Sequence, residues 1–134
     1  MSSVVIIILS LHALAAVYWA GSTFVLARDP QLGAIKLFRP QMGAAVIVVL
    51  TGAYLWHLLH EGGFGPAEQA LAIGALCAIA AAGVQGALVG GVRRRLAKGE
   101  LGEAEAIGRV GLGERIAAVL LAVALICMVS ARYF

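Results

Sequence analysis

Charge is what this chain has least of. Asp, Glu, Lys and Arg together make up 13% of its 134 residues, about half the share in an ordinary soluble domain. So few charges cannot cover a water-facing surface, which excludes a cytosolic enzyme. With 62% apolar residues the chain is not a disordered tail either. Its two cysteines, Cys77 and Cys127, stand in separate apolar runs, so they form neither a disulfide framework nor a zinc knuckle. The excess of basic over acidic residues is three, and the charges sit in clusters between apolar runs; no nucleic-acid partner is expected. No phosphate-binding glycine loop, nucleophile–base pair or paired carboxylates stand out. Hydrolysis and phosphoryl transfer therefore have no residues to carry them.

What the chain has instead is long apolar runs, with a mean hydropathy of +0.97. A bilayer core of about 30 Å needs roughly 20 apolar residues in a helix, and four segments qualify, at about 4–27, 41–59, 67–92 and 116–133. Pro40 and Pro66 stand at the starts of the second and third, where a missing N–H costs a helix nothing. None of the four carries Lys, Arg, Asp or Glu in its interior. The start, Met1 to Val5, lacks the basic residues of a signal peptide, and its apolar run is too long for one, so the first segment is read as a retained span. The expected fold is an all-α integral membrane domain over residues 1–134, an up-down-up-down bundle of four transmembrane helices.

Orientation follows from the basic residues. Nine of the ten lie in the first and third loops: Arg28, Lys36 and Arg39, then Arg93, Arg94, Arg95, Lys98, Arg109 and Arg115. The positive-inside rule puts those loops in the cytoplasm and both termini outside, as in a bacterial inner membrane. Arg93–Arg95 reads as a topology anchor, with contact to lipid headgroups as the alternative. The third loop also holds Glu100, Glu103, Glu105 and Glu114, so it is expected to be a solvated, partly helical connection.

The third span carries Ala70, Gly74, Ala78, Ala82, Gly86 and Gly90, four apart throughout. Small residues let helix backbones approach closely in lipid. The stripe predicts a tight contact, either inside the bundle or with a partner in a homodimer or larger membrane complex. In an accessory subunit without a cofactor, that stripe would be the functional surface.

Polar side chains placed in a membrane are the functional candidates, because each costs free energy there. Ser22, Thr23, Thr51 and Ser130 can bond their own helix backbones, and Gln85 is expected to bond across helices. His12 lies about 12 Å below the outer surface at 1.5 Å per residue. Its imidazole needs partners for both an N–H and a lone pair. His57 and His60, three apart on the second span, approach the same outer side, His57 the deeper of the two. Two imidazoles on facing helices are what a six-coordinate haem b iron needs, and a bundle core accommodates that cofactor. His12 with His57 is the expected axial pair, with His60 as the alternative. A second reading is a copper site: His12 with Cys77 and Cys127 offers the soft ligands that suit Cu(I).

The segment His12–Gly21, with Trp19 seven residues after the histidine and Arg28 beyond, resembles the first-helix signature of the copper resistance D-like proteins and of the related HemJ-type protoporphyrinogen oxidases. The stretch from Arg39-Pro40-Gln41-Met42 to Leu50-Thr51-Gly52 is similar to their second helix. The likeness covers the first two helices well and the last two in length and hydropathy alone. It implies a small polytopic bundle. In the HemJ-type branch it implies bound haem b, His12 and Trp19 at the cofactor, and a haem-dependent oxidoreductase acting on a porphyrinogen; that branch has a lysine early in its third helix, where this chain has Glu68, Gln69 and Ala70. The other branch implies copper handling at the membrane.

Overall fold

The computed structural model describes residues 2–60 and 62–134. It is all-helical among them, with four helices long and apolar enough to cross a membrane: α1 (Ser3–Arg28), α2 (Phe38–Leu59), α3 (Pro66–Ala97) and α4 (Glu103–Ala131). At 1.5 Å per residue even the shortest is about 33 Å long, enough to span hydrocarbon. The chain is an integral membrane four-helix bundle.

Local chemistry starts α1 and α3. The Ser2 hydroxyl accepts from Val5 N at the head of α1 (3.3 Å), satisfying one of the amides a helix N-terminus leaves free. Pro66 occupies the first turn of α3, and Glu68 reaches back to the Gly65 amide (3.0 Å). Between α1 and α2 the Asp29 carboxylate accepts from Gln31 N, and a short 3₁₀ turn follows at Pro30–Leu32. The chain reverses at Gly33, whose φ of 128° only glycine adopts freely.

The helices do not pack evenly. The most extensive interface joins α3 to α4; α1 packs on α2 and then on α4, while α2 and α3 touch only lightly. The centre is built largely of alanine, with Ala15, Ala20, Ala45, Ala81 and Ala117 around Trp19 and Leu121. Small residues matter here because lipid gives helices little hydrophobic reason to associate, so close contact must supply the attraction. The result is a bundle tight along α3–α4 and α1–α2 and open along one seam.

Two boundaries differ from the sequence expectation. The fourth helix begins at Glu103 rather than near 116, and the third runs on to Ala97 rather than 92. The third connection is therefore only 98–102. Hydropathy placed the boundary too late because Glu103, Glu105 and Arg109 lower the mean over that turn. Those three are exposed, while Ala106, Val110 and Glu114 on the other face are buried. It is an amphipathic extension of a span, so the solvated connection is corrected to helix.

The four-residue stripe also behaves differently. Residues four apart advance about 40° more than a full turn at each step, so six of them wind halfway round the helix. Gly74 and Ala78 do face the bundle, with Gly74 against Cys127 and the Ala124 carbonyl. A Cβ on Gly86 would meet nothing within 4 Å. The buried positions are Gly74, Ala78, Ala81, Gln85, Val89, Gly90 and Val92, through a π-helical turn at Gln85–Val89. Of the four-residue stripe, Gly90 meets the Phe38 ring of α2, which would stand 2.9 Å from a Cβ there.

Candidate functional site

His12 lies on α1, half-buried, with its Nδ1 2.8 Å from the Thr51 hydroxyl of α2. That hydroxyl spends its one proton on its own helix, donating to the Ile47 carbonyl at 2.5 Å. Thr51 can therefore only accept from the ring, so Nδ1 carries the hydrogen and Nε2 carries the lone pair. A ligating histidine is commonly oriented in this way, with one nitrogen donating to a fixed partner and the other free to bind. Gly52 makes room for it: a Cβ there would stand 3.1 Å from His12 Cε1. The Thr51-Gly52 pair thus seats the imidazole, one residue by holding it and the other by its missing side chain.

The ring faces a cleft of about 680 Å³ to which all four helices contribute. Its size is that of a small-molecule or cofactor site. The walls are almost wholly apolar, including Ala16, Val48, Leu55, Leu71 and Leu121, with the two tryptophans, Trp19 and Trp56, and a second histidine, His60. α1 contributes more residues to the cleft than any other helix. Leu9, Val17, Phe24 and Leu125 line it and are also exposed, so it communicates with the lipid-facing surface.

The structure sorts the candidate residues. His12, Trp19 and His60 share the cleft wall; His57 does not line it and is exposed. Helical phase is the reason. From Gly52, which faces His12, position 57 lies about 140° round the helix, whereas 56, 59 and 60 return to within about 80°. The depth argument favoured His57; the face favours His60. His60 has a buried Nδ1 without a hydrogen-bond partner, its Nε2 is 4.0 Å from Glu68, and its ring lies tilted against Trp56, centroids 5.1 Å apart. Cys77 and Cys127 do not line the cleft. Among the described residues no three His, Cys, Asp or Glu side chains form a metal-binding group, so His12, Cys77 and Cys127 do not converge.

Toward the other end of the bundle, below the cleft, lies a buried polar cluster. Trp19, only 1% exposed, donates from Nε1 to Gln85 Oε1 at 2.6 Å. Gln85 Nε2 donates to the Thr23 hydroxyl and to Glu114 Oε2, each at 3.0 Å. Gln41 Nε2 donates to Ser22 and Thr23 at 3.3 and 3.2 Å. Gln85 does bond across helices, as its position suggested. Glu114 overturns the expectation of spans without Lys, Arg, Asp or Glu in their interiors: assigned to solvent with the other loop glutamates, it is 0% exposed. The missed signal was the i, i+4, i+7 or i+8 spacing of Ala106, Val110, Glu114, Ala117 and Leu121, one continuous buried face.

No family model matches the chain, and neither a curated protein nor a solved structure is detectably similar to it.

Proposed function

We propose that this is a haem-b-binding membrane protein of redox or electron-transfer type, in which His12 would ligate the iron and the cleft would hold the haem. The observation that carries the reading is the imidazole itself, its tautomer set by Thr51 and its Nε2 left free beside an apolar cleft of cofactor size. The donor set suits an iron porphyrin, which asks for one or two neutral imidazoles and dry walls. Bound haem would supply one-electron redox chemistry. The chain's own contributions are to ligate through His12, to orient that ring through Thr51 and Gly52, and to exclude water with its aliphatic walls. His60, rather than His57, is the second imidazole of the site. The resemblance of the first two helices to the HemJ-type oxidases points the same way. The geometry does not favour copper, because the two thiols stand apart from His12. The basic loops, 29–37 and 98–102 with their flanking arginines, are placed in the cytoplasm of a bacterial inner membrane, which puts the haem in the outer half of the bundle.

The test is an absorption spectrum of the protein purified in mild detergent. A Soret band that shifts on reduction is expected, with most of it lost in His12→Ala, its position altered in His60→Ala, and no change in His57→Ala. A colourless, iron-free preparation that also fails to take up added haemin would end the proposal.

A further inference from the structure

We propose that Glu114 is a proton-binding site, exchanging a proton at Oε1, and that Gln85 passes the change of charge to Trp19 in the wall of the cleft. The inference stands apart from the haem reading, since it uses no cofactor.

The argument begins with an imbalance. Glu114 Oε2 accepts a hydrogen bond from Gln85 and the Gln41 amide also faces the carboxyl, but Oε1 is buried with no hydrogen-bond partner of ordinary geometry. A buried carboxyl with an unmatched oxygen is among the most costly groups a bundle can hold. No cation offsets it: the ion pairs among the described residues are His60–Glu68, Arg95–Glu100 and Arg109–Glu105. The adjacent Arg115 is exposed and donates instead to the Ala27 carbonyl (3.4 Å). The groups that gather there are Trp19, Ser22 and Thr23 from α1, Gln41 from α2 and Gln85 from α3, none of which titrates. Arg28, Arg39 and Arg93, at the same ends of those helices, are exposed or half-buried and not paired with it. The carboxyl is the one ionisable member of the cluster.

What the site lacks is a single donor to a single oxygen, and a proton supplies that. A metal cation needs several oxygens at once, and here one carboxylate oxygen is unmatched. The exchange balances simply: the carboxylate and a proton from water at the nearby bundle end give the neutral acid, release reverses it, and no electron moves. With the carboxylate present, the Gln85 bond to Oε2 is charge-assisted; in the neutral acid it is not. Because the same Gln85 amide also accepts the Trp19 indole at 2.6 Å, the protonation state of Glu114 is felt at a residue lining the cleft. Gln85 continues the buried face of Ala78 and Ala81, and a π-helical turn begins at it; such turns recur at functional sites.

Infrared difference spectra between acid and alkaline pH, recorded on the protein in liposomes, test the proton site. A carboxylic-acid C=O band that shifts in D₂O and disappears in Glu114→Gln is expected. An unchanged band in that variant overturns the proposal. Transmission is read in a Trp56→Phe background, where Trp19 is the one tryptophan left. Its emission should change with pH in a single step that is absent in both Glu114→Gln and Gln85→Leu, while the Gln85→Leu protein keeps the carboxyl band. Emission that titrates equally in Gln85→Leu refutes the link to Trp19. Should Glu114→Gln fail to fold, the wild-type band decides: displacement by saturating Na⁺ marks a cation site and refutes a proton site, and persistence supports it.

Discussion

A histidine in hydrocarbon has two nitrogens to satisfy, and in this protein only one of them is spent. Thr51 takes the Nδ1 hydrogen because its own hydroxyl proton is already committed to Ile47. Thr51→Val keeps the shape and removes the acceptor, so the ring loses its fixed tautomer. Haem retention should fall about 10–100-fold, the usual penalty for losing such a supporting bond, measured by haemin titration. Gly52→Ala tests the seat itself. Its Cβ would enter 3.1 Å from His12 Cε1, and the crowded ring must tilt, at a cost of about 1–3 kcal/mol. Gly43→Ala is the control, since a Cβ there meets nothing within 4 Å and the residue does not line the cleft; it should leave both melting temperature and spectrum unchanged. Much of this site was legible residue by residue. His12 stood out as an ionisable group deep in a span, and Thr51-Gly52 stood out as a pair. That the pair serves His12 was not legible, because it depends on how α1 and α2 register against each other.

Helices α3 and α4 show the limits of reading one element alone. A run of small residues four apart is visible in the sequence, yet a helix turns 3.6 residues at a time, so such a run leaves any one face after two or three members. Gly74→Leu should therefore separate α3 from α4, against Cys127 and the Ala124 carbonyl, and lower stability by roughly 1–3 kcal/mol or more. Gly86→Leu enters open space and should stay within about 0.5 kcal/mol of wild type. A thermal unfolding series in detergent compares the two. If Gly86→Leu instead abolishes a dimer seen by crosslinking, that open face is a subunit contact. The first half of α4 was misread for a related reason. Mean hydropathy averages over the helix circumference, whereas burial is decided face by face, and Glu114 shares its face with Ala106, Val110 and Ala117.

Across the whole molecule, aliphatic side chains such as Leu14, Val17, Leu50, Leu76 and Val119 point outward. In water, so much exposed apolar surface would drive association; in a bilayer it is simply the solvated face. The four helices also leave between them a cleft, continuous with the lipid-facing surface beside Leu9, Val17, Phe24 and Leu125. Sidedness is a prediction at this scale. In a cysteine-free background, Lys36→Cys and Lys98→Cys should be labelled only from the cytoplasmic face, and Phe64→Cys only from the opposite one. The reverse pattern would invert the placement of the proposed haem.

The number of spans, their approximate limits and their alternating course were written in the chain, because hydrocarbon admits only helices of a certain length and greasiness, and that condition is met or failed locally. Which histidine shares a cleft with His12, where the small-residue run meets a neighbour, and the burial of Glu114 against Gln85 were decided by tertiary structure. Each depends on the angle at which one helix faces another, and a side chain's position along its own helix carries no information about its neighbour's rotation.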